Sequence, residues 1–458
     1  MLLKNQTLTL TVEGQNDQGF GVAHVGGMAV FVKGGVKGDV VQATVLKVAK
    51  TWAAAKADRI LTPSPHRCPS GCDAAGCGGC AYRELVYEEE ERIKAEDVRM
   101  YFRKAGLSAT VLPTVTAGPI NGYRNKAQYA FGRTRDGRLT AGFFAPRSHR
   151  LVPAVHCPLA PALFGEAVER SLAILSELGL APYEEETGKG LLRHLYLRHS
   201  EKEGKVLYTL VINGRSLPDE SAFVEKLRRA LPFVSGILLN FNTEKTNVIL
   251  GKEYRTLWGE DFITDTLGGV TLKIAPDAFF QVNRPAADAL YAKAKELACL
   301  SGRELLWDLY SGAGRIGLSM ADSCREIVGV EIVPAAVENA GENAKRNGIR
   351  HARFVTGAAS SPETLLAGAY GEGRAAPDVV VLDPPRKGCS PELLSYLADT
   401  VKVLRIVYIS CAPDTLARDC ALLVSKGYSL SPVTPVNLFP RTGHVESVVC
   451  LTRQSDVI

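Results

Sequence analysis

The feature that most constrains this chain is a set of apolar runs in its last third, each halted by a polar or glycine-rich turn and most of them followed by a helical pattern. They read "ELLWDLYSGAGRIGLSMA", "EIVGVEIVPAAVENAGENAKRNG", "VVVLDPPRKGC" and "RIVYISCAPDTLARDCALLVSKGY". Short apolar runs bounded by turn residues read as buried strands, and their alternation with helical segments predicts a parallel, doubly wound sheet. Ligands bind at the carboxyl edge of such sheets. Weight therefore falls on what ends each run: Gly312-Ala313-Gly314, Glu331, Asp383 and Cys411.

Upstream the periodicity changes. Residues 5–60 alternate apolar and polar positions, as in "TLTLTVEGQ" and "GFGVAHVGGMAVFV", with glycines between runs, as a small β-barrel requires. Lys33, Lys37, Lys47, Lys50, Lys56 and Arg59 of this segment face either a phosphate backbone or solvent. A Pro- and Cys-rich knot follows, "TPSPHRCPSGCDAAGCGGCAYREL", then "VYEEEERIKAEDVRMYFRKAG", whose charge density and spacing predict an exposed helix ending at Gly106. Residues 113–255 mix short strands with scattered helices. The chain is thus expected to divide into 1–61, 62–256 and 257–458.

A net charge of +5 over 458 residues leaves room for a nucleic-acid surface only as a local patch. The candidate is the stretch holding Arg124, Lys126, Arg133, Arg135, Arg138, Arg147 and Arg150, interleaved with Tyr123, Tyr129, Phe131, Phe143 and Phe144 as stacking faces. No signal-peptide core and no run of about 18 apolar residues occurs, so a cytoplasmic protein is expected. In that reducing compartment the eleven cysteines are not expected to form disulfides. Clustered thiols then read as metal ligands and isolated ones as catalytic or buried.

Glycines after the first run let a ligand approach the backbone, although the acid within that motif argues against a pyrophosphate; a carboxylate at Glu331 can take both ribose hydroxyls, a feature that alone would also fit a dinucleotide. "DPPR" at Asp383-Pro384-Pro385-Arg386 resembles the fourth motif of S-adenosylmethionine-dependent methyltransferases, whose sulfonium cofactor has no phosphates for acids to repel. Together with "CGGC", "YRNK", "FFQVN", "DLYSGAG", "ISCAPDTLARD", "FPRTGHVESV" and a barrel that looks like a TRAM domain, the chain resembles the RNA uracil-5-methyltransferases, in their iron–sulfur branch acting on large-subunit (23S) ribosomal RNA. That resemblance implies an OB-like TRAM barrel, a central mixed α/β domain with a Cys-ligated cluster, and a C-terminal Rossmann-like class I methyltransferase domain. It also implies that Gln281, Tyr310, Glu331 and Asp383 contact S-adenosylmethionine, and a protein acting as a monomer on RNA.

Uracil C5 is a poor nucleophile, and a thiolate adding to C6 raises its electron density, so the chemistry needs one cysteine and one base. Cys411, at a strand end on the cofactor edge, is the expected nucleophile. Cys389, six residues past Asp383, is its rival, while Cys299, Cys324, Cys420 and Cys450 lie within helix or strand patterns and read as buried. Glu446, at the start of the last strand, is the base that the resemblance implies. Cys72, Cys77 and Cys80 with distant Cys157 have iron–sulfur spacing, and the resemblance implies a [4Fe-4S] cluster; zinc is the rival metal. The first gap is one residue longer than the family's, which leaves Cys68 as an alternative to Cys72. The competing functions are an RNA cytosine-5 methyltransferase and a non-catalytic iron–sulfur RNA-binding protein.

Overall fold

The computed structural model describes residues 2–74, 76–361 and 376–454, so the outer limits expected at 1 and 458 lie outside the described residues. Strands β1 (Thr7–Thr11), β2 (Gly14–Gln15), β3 (Gly21–Val25), β4 (Met28–Lys33), β5 (Val40–Val48) and β6 (Trp52–Thr62) form one sheet in the order β1-β5-β6-β4-β3-β2. Its two outer strands are consecutive in the chain, and between them Val12 N–H bonds to Asp39 O (2.9 Å) and Glu13 N–H to Val22 O (2.8 Å). The sheet must therefore curl until its edges meet, burying Leu10, Val30, Val32, Val41 and Ala55 inside. Gly26 and Gly27, both at positive φ, make the two-residue turn that joins β3 to β4.

Helix α1 (Tyr87–Lys104) comes next, and it is not the exposed helix its charge suggests. Val98 and Phe102 sit in the core of the C-terminal sheet beside Leu305 and Trp307. Removing the Phe102 ring from such a position costs about 3–5 kcal/mol. Glu90 and Lys94 are buried to 0% exposure. The central sheet holds β7 (Lys126–Arg133), β8 (Leu139–Phe144), β9 (Leu151–Pro153), β10 (Leu192–Ser200), β11 (Lys205–Ile212), β12 (Val234–Phe241) and β13 (Glu253–Gly259), in the order β13-β12-β11-β10-β7-β8-β9. Helices α2 (Ala162–Glu177) and α3 (Glu220–Ala230) bury Phe164, Val168, Phe223 and Leu227 against it. The boundary expected at 256 falls inside β13, because that strand completes the central sheet through Gly259.

A hairpin, β14 (Ile263–Leu267) and β15 (Val270–Ile274), leads to α4 (Arg284–Ala298) and the C-terminal sheet. This sheet contains β16 (Leu305–Leu309), β17 (Glu326–Glu331), β18 (Ala352–Thr356), β19 (Val379–Leu382), β20 (Arg405–Ser410), β21 (Tyr428–Leu430), β22 (Thr434–Val436) and β23 (Glu446–Arg453), joined in part by α5 (Arg315–Ser319), α6 (Pro334–Arg346), α7 (Pro391–Ser395) and α8 (Pro413–Ser425). Its order is β18-β17-β16-β19-β20-β23-β21, with β22 also on β23; β16 to β20 are parallel and β23 runs antiparallel to β20. Successive residues of β16 alternate between two apolar layers: Leu305 and Trp307 face α1 and α8, Leu306 faces α4 and the hairpin. Burial on both faces is why the runs read as continuously apolar. The strand order reverses between β16 and β19, which opens a crevice at their carboxyl ends. Among the described residues no helix is long and apolar enough to cross a membrane.

Candidate active site

At the end of β16 the chain turns through Tyr310, Gly312 and Gly314, with φ of 64°, 53° and 77°. A Cβ on Gly314 would lie 2.7 Å from the Phe354 ring, so only glycine fits there. Tyr310 accepts the same backbone region at a cost of about 1–2 kcal/mol. Its ring lies beside the Cys389 thiol. Gly312 N–H and Val333 N–H donate to the two oxygens of Glu331 (3.1 and 2.9 Å), which fixes this carboxylate at the end of β17.

Asp308, inside β16, accepts from Gly317 N–H at 2.9 Å, and burial pushes its carboxyl up to about 7, with Asp383 as a repelling neighbour. Burial likewise raises Asp383 to about 6, against the pull of Arg315. Arg315 donates to Phe279 O (2.8 Å) and lies 4.4 Å over the Phe279 ring, which is itself 64% exposed. Gln281 is buried at this rim, its carbonyl held by the Asn125 side chain at 2.7 Å. A cradle of three carboxyls and open glycine backbone suits a cation that carries a ribose, and it is a poor host for a pyrophosphate.

The second half of the site is set by strand register. Ser410 of β20 pairs with Ser447 of β23, so the next step along each strand brings Cys411 opposite Glu446. Cys411 is half-buried at this edge, and burial raises its thiol, with Glu446 and Asp383 adding repulsion and Arg386 opposing it through charge and a hydrogen bond. Glu446 is almost wholly buried; that burial and Asp383 push it up to about 8, again against Arg386. Arg386 was legible in the sequence only as the last letter of "DPPR". Its signal is a cation directly after the turn that ends β19.

The rival thiol is built differently. Cys389 is 3% exposed, its backbone N–H bonds to Asp419 Oδ2 (2.8 Å) and Tyr408 Oη (3.2 Å), and burial pushes its thiol up to about 12. Such a thiol is a core residue. Cys324, Cys420 and Cys450 are buried as expected, but Cys299 is exposed, because it caps the C-terminus of α4 in a left-handed conformation.

Three thiols of the knot and Cys157 lie near one another. Cys157, Cys77 and Cys72 all act on Cys80, whose thiol burial pushes up to about 12. Cys68 stands apart, its Sγ 3.9 Å from the Arg83 carbonyl. Ala74, Ala145, Val152 and Ala154 wall the group, and all of these cysteines are free thiols. An all-thiol donor set in apolar surroundings fits a soft metal centre. Among the described residues, however, no three His, Cys, Asp or Glu side chains are drawn together closely enough to hold a metal ion.

The expected basic and aromatic stretch is rearranged by its own strands. Tyr123, Tyr129 and Phe131 are buried, and Phe144 is the exposed ring, so most of the expected stacking faces serve the core. The cations split as well: Arg133, Arg135 and Arg138 surround the turn from β7 to β8, whereas Arg147 and Arg150 surround the turn from β8 to β9. These turns lie at opposite ends of β8, roughly 20 Å apart for a strand of this length. Arg124 and Lys126, at the start of β7, belong to the second end, which packs on the knot where a Cβ at Gly78 would touch Pro146 Cγ at 2.1 Å. On the barrel, Lys33, Lys47, Lys50, Lys56 and Arg59 are exposed, but Lys37 pairs with Glu89 of α1 at 3.0 Å.

Residues 243–454 match the model of the tRNA (uracil-5-)-methyltransferase family, and residues 2–57 match the TRAM domain. An uncharacterized RNA methyltransferase of Halalkalibacterium halodurans is 37% identical over 451 residues, covering 98% of this chain and 97% of that protein. One from Clostridium tetani is 36% identical over 461 residues, with 99% and 98% covered. The crystal structure of Pyrococcus abyssi tRNA (uracil-54, C5)-methyltransferase in complex with S-adenosyl-L-homocysteine is similar with a TM-score of 0.77 and 26% identity, covering 97% of this chain and all of that one.

Proposed function

The chain belongs to the S-adenosylmethionine-dependent RNA uracil-5-methyltransferases, and from that premise we propose that it methylates uridine C5 through a covalent bond between Cys411 and C6. The observation that carries this reading is the register of β20 and β23, which sets a half-buried thiol opposite a buried carboxyl beside the cofactor crevice.

Gln281, Tyr310, Glu331 and Asp383 are the residues assigned to the cofactor, which supplies an electrophilic methyl group on a positively charged sulfur. Arg386 stabilises the Cys411 thiolate. That thiolate forms a bond to C6, and the C5=C6 electron pair becomes an enolate with carbanion character at C5. C5 takes the methyl as the methyl–sulfur bond breaks. Bonding to C6 also removes the negative charge next to Glu446, so its carboxyl ionises more readily in the adduct than in the free enzyme. Glu446 then takes the C5 proton, the pair re-forms C5=C6, and the thiolate leaves. A uridine in folded RNA has to be splayed out to reach this buried pair.

Within the same reading, the barrel and the central sheet hold the RNA and the C-terminal sheet performs the transfer. Cys72, Cys77, Cys80 and Cys157 would hold a [4Fe-4S] cluster that braces the knot; methyl transfer moves no net electrons. Large-subunit ribosomal RNA is the substrate favoured by the resemblance to the iron–sulfur branch. Transfer RNA is the second reading, supported by the Pyrococcus abyssi enzyme, which matches this chain over 97% of its length, barrel included. Incubating purified protein with labelled S-adenosylmethionine and either RNA, then mapping 5-methyluridine by mass spectrometry, separates them. Methyl groups on cytosine C5, or on neither RNA, would overturn the proposal.

A further inference from the structure

The residues 437–445 form the loop that closes the β22–β23 hairpin, with Val436 paired to Glu446 at its base. Its conformation is not self-supporting: Arg441 sits at a φ of 68°, a region that a residue with a side chain enters only when its surroundings impose it. The imposing element is the charged helix α1, from the far end of the sequence. Lys94 Nζ donates to Glu90 Oε1 (2.8 Å), Asn437 Oδ1 (2.7 Å) and Phe439 O (3.1 Å), which uses all three of its protons. Glu90 in turn accepts from the Asn437 side chain (3.0 Å) and from Arg441 N–H (2.9 Å to one oxygen, 3.1 Å to the other).

Both charged side chains have zero exposure. Apolar residues of similar volume would hold a helix in place at least as well, so a buried ion pair of this kind is weak evidence of a stabilising role. What the pair does that apolar side chains cannot do is bond to the loop at Asn437, Phe439 and Arg441, fixing its path into β23. Further along, His444 lies near Arg386, and its ring contacts Phe439 at 6.0 Å.

We propose that Glu90 and Lys94 are positioning residues that hold the 437–445 loop so that Glu446 meets the C5 proton beside Cys411. This rests on the reading of Glu446 as the base. The test uses full-length protein, an RNA containing the target uridine, and three variants: Glu446→Gln, the double variant Glu90→Leu with Lys94→Met, and Asn437→Ser. The double variant replaces the pair without leaving a lone buried charge. Expected are a wild-type affinity for S-adenosyl-L-homocysteine, a turnover at least about tenfold slower, and a build-up of the slowly migrating protein–RNA adduct on a denaturing gel. A merely structural pair would lower the melting temperature without accumulating adduct.

Glu446→Gln is the control. If it traps no adduct, the reading of the base fails; if it does, and the double variant turns over like wild type without adduct, the positioning proposal fails. Should the double variant not yield folded protein, Asn437→Ser carries the same expectation, since it removes the loop's side-chain bonds to Lys94 and Glu90 and leaves the ion pair itself, and wild-type turnover in that variant overturns the proposal.

Discussion

The carboxyl edge of the C-terminal sheet and the thiol knot both gather reactive groups from distant parts of the chain, but they acquire their geometry differently. At the sheet edge, one register sets Cys411 opposite Glu446, and a slip of one residue in either strand would turn that strand's side chain to the other face and break the pair. In the knot, the described residues of the segment carrying Cys68, Cys72, Cys77 and Cys80 lie in neither strand nor helix. It is held from outside, by Arg67 bonded to Asp39 (2.6 Å) and Glu84 (2.7 Å), and by the turn at Pro146. The first site is preformed by the backbone; the second is gathered but not closed. A preformed site tolerates loss of its ligand, whereas a gathered one draws part of its folding energy from what binds it.

The largest expected effect tests the preformed side. Cys411→Ala should lower methylation by at least about 1,000-fold, with affinity for S-adenosyl-L-homocysteine unchanged because the cofactor cradle lies on β16 to β19. Cys389→Ala should keep most of the activity, its backbone being held by Tyr408 and Asp419 and its thiol buried. The reverse outcome, activity in the first variant and none in the second, would exchange the two roles.

The gathered side should fail as a structure. Anaerobically purified protein is expected to be brown, with iron and sulfide and little zinc. Cys80→Ser should lose the iron and much of the solubility, and Cys72→Ser should do the same, because Cys72 is the thiol among the neighbours of Cys80. Cys68→Ser should leave the iron content unchanged. Iron lost from the Cys68 variant and kept in the Cys72 variant would exchange those two ligands, and one zinc per chain would replace the cluster.

The same contrast governs what was legible in the sequence. Strand ends were readable because a buried strand has a fixed rise and a fixed face, so apolar runs ending at Tyr310, Glu331, Asp383 and Cys411 had to converge on one edge. The charge of helix α1 suggests exposure, and nothing local reveals that Glu90 and Lys94 satisfy each other and a loop more than 340 residues away. The aromatic residues of the basic stretch look like stacking faces for a related reason: Tyr129 and Phe131 lie in a strand whose buried face depends on α2, which comes later in the chain. Arg386 and Arg315 were visible as letters, but their roles depend on carboxyls brought in from other strands.

A smaller effect sharpens the claim that the sheet edge is preformed at a cost. Glu446 has a carboxyl near 4.5 when exposed and about 8 in the fold. Below the lower value both states are protonated and the group is neutral to stability. As pH rises through this window the unfolded chain ionises first, so stability falls until the folded carboxyl also titrates. Glu446→Gln should therefore add little stability at pH 4.5 and most at pH 8 and above, on the order of a few kcal/mol, read as a melting-temperature gain that grows with pH. Wild-type turnover should move opposite to wild-type stability, rising with pH through about 8 as Glu446 loses its proton and rising further as Cys411, which burial holds above the ordinary thiol range, loses its own. A melting difference independent of pH would mean that Glu446 is not held protonated by its surroundings.

The smallest effect concerns RNA and turns on the division of the basic stretch. Arg147 and Arg150 share the end of the central sheet where Arg124 and Lys126 emerge, next to the knot and to Asn125, which holds Gln281 at the cofactor rim. Arg133, Arg135 and Arg138 occupy the far end, and Arg138 is engaged by Asp136 at 2.6 Å. An RNA strand whose uridine enters the crevice is therefore expected to meet the first group before the second. Each phosphate contact on a single strand contributes about 0.7 to the slope of log affinity against log salt. Arg147→Gln with Arg150→Gln should therefore flatten the slope by about 1.4 and weaken binding several-fold, while Arg133→Gln with Arg135→Gln changes it little. Equal slopes in the two double variants would mean that the RNA spans the whole sheet, and a loss confined to the far pair would turn its path toward the β7–β8 turn.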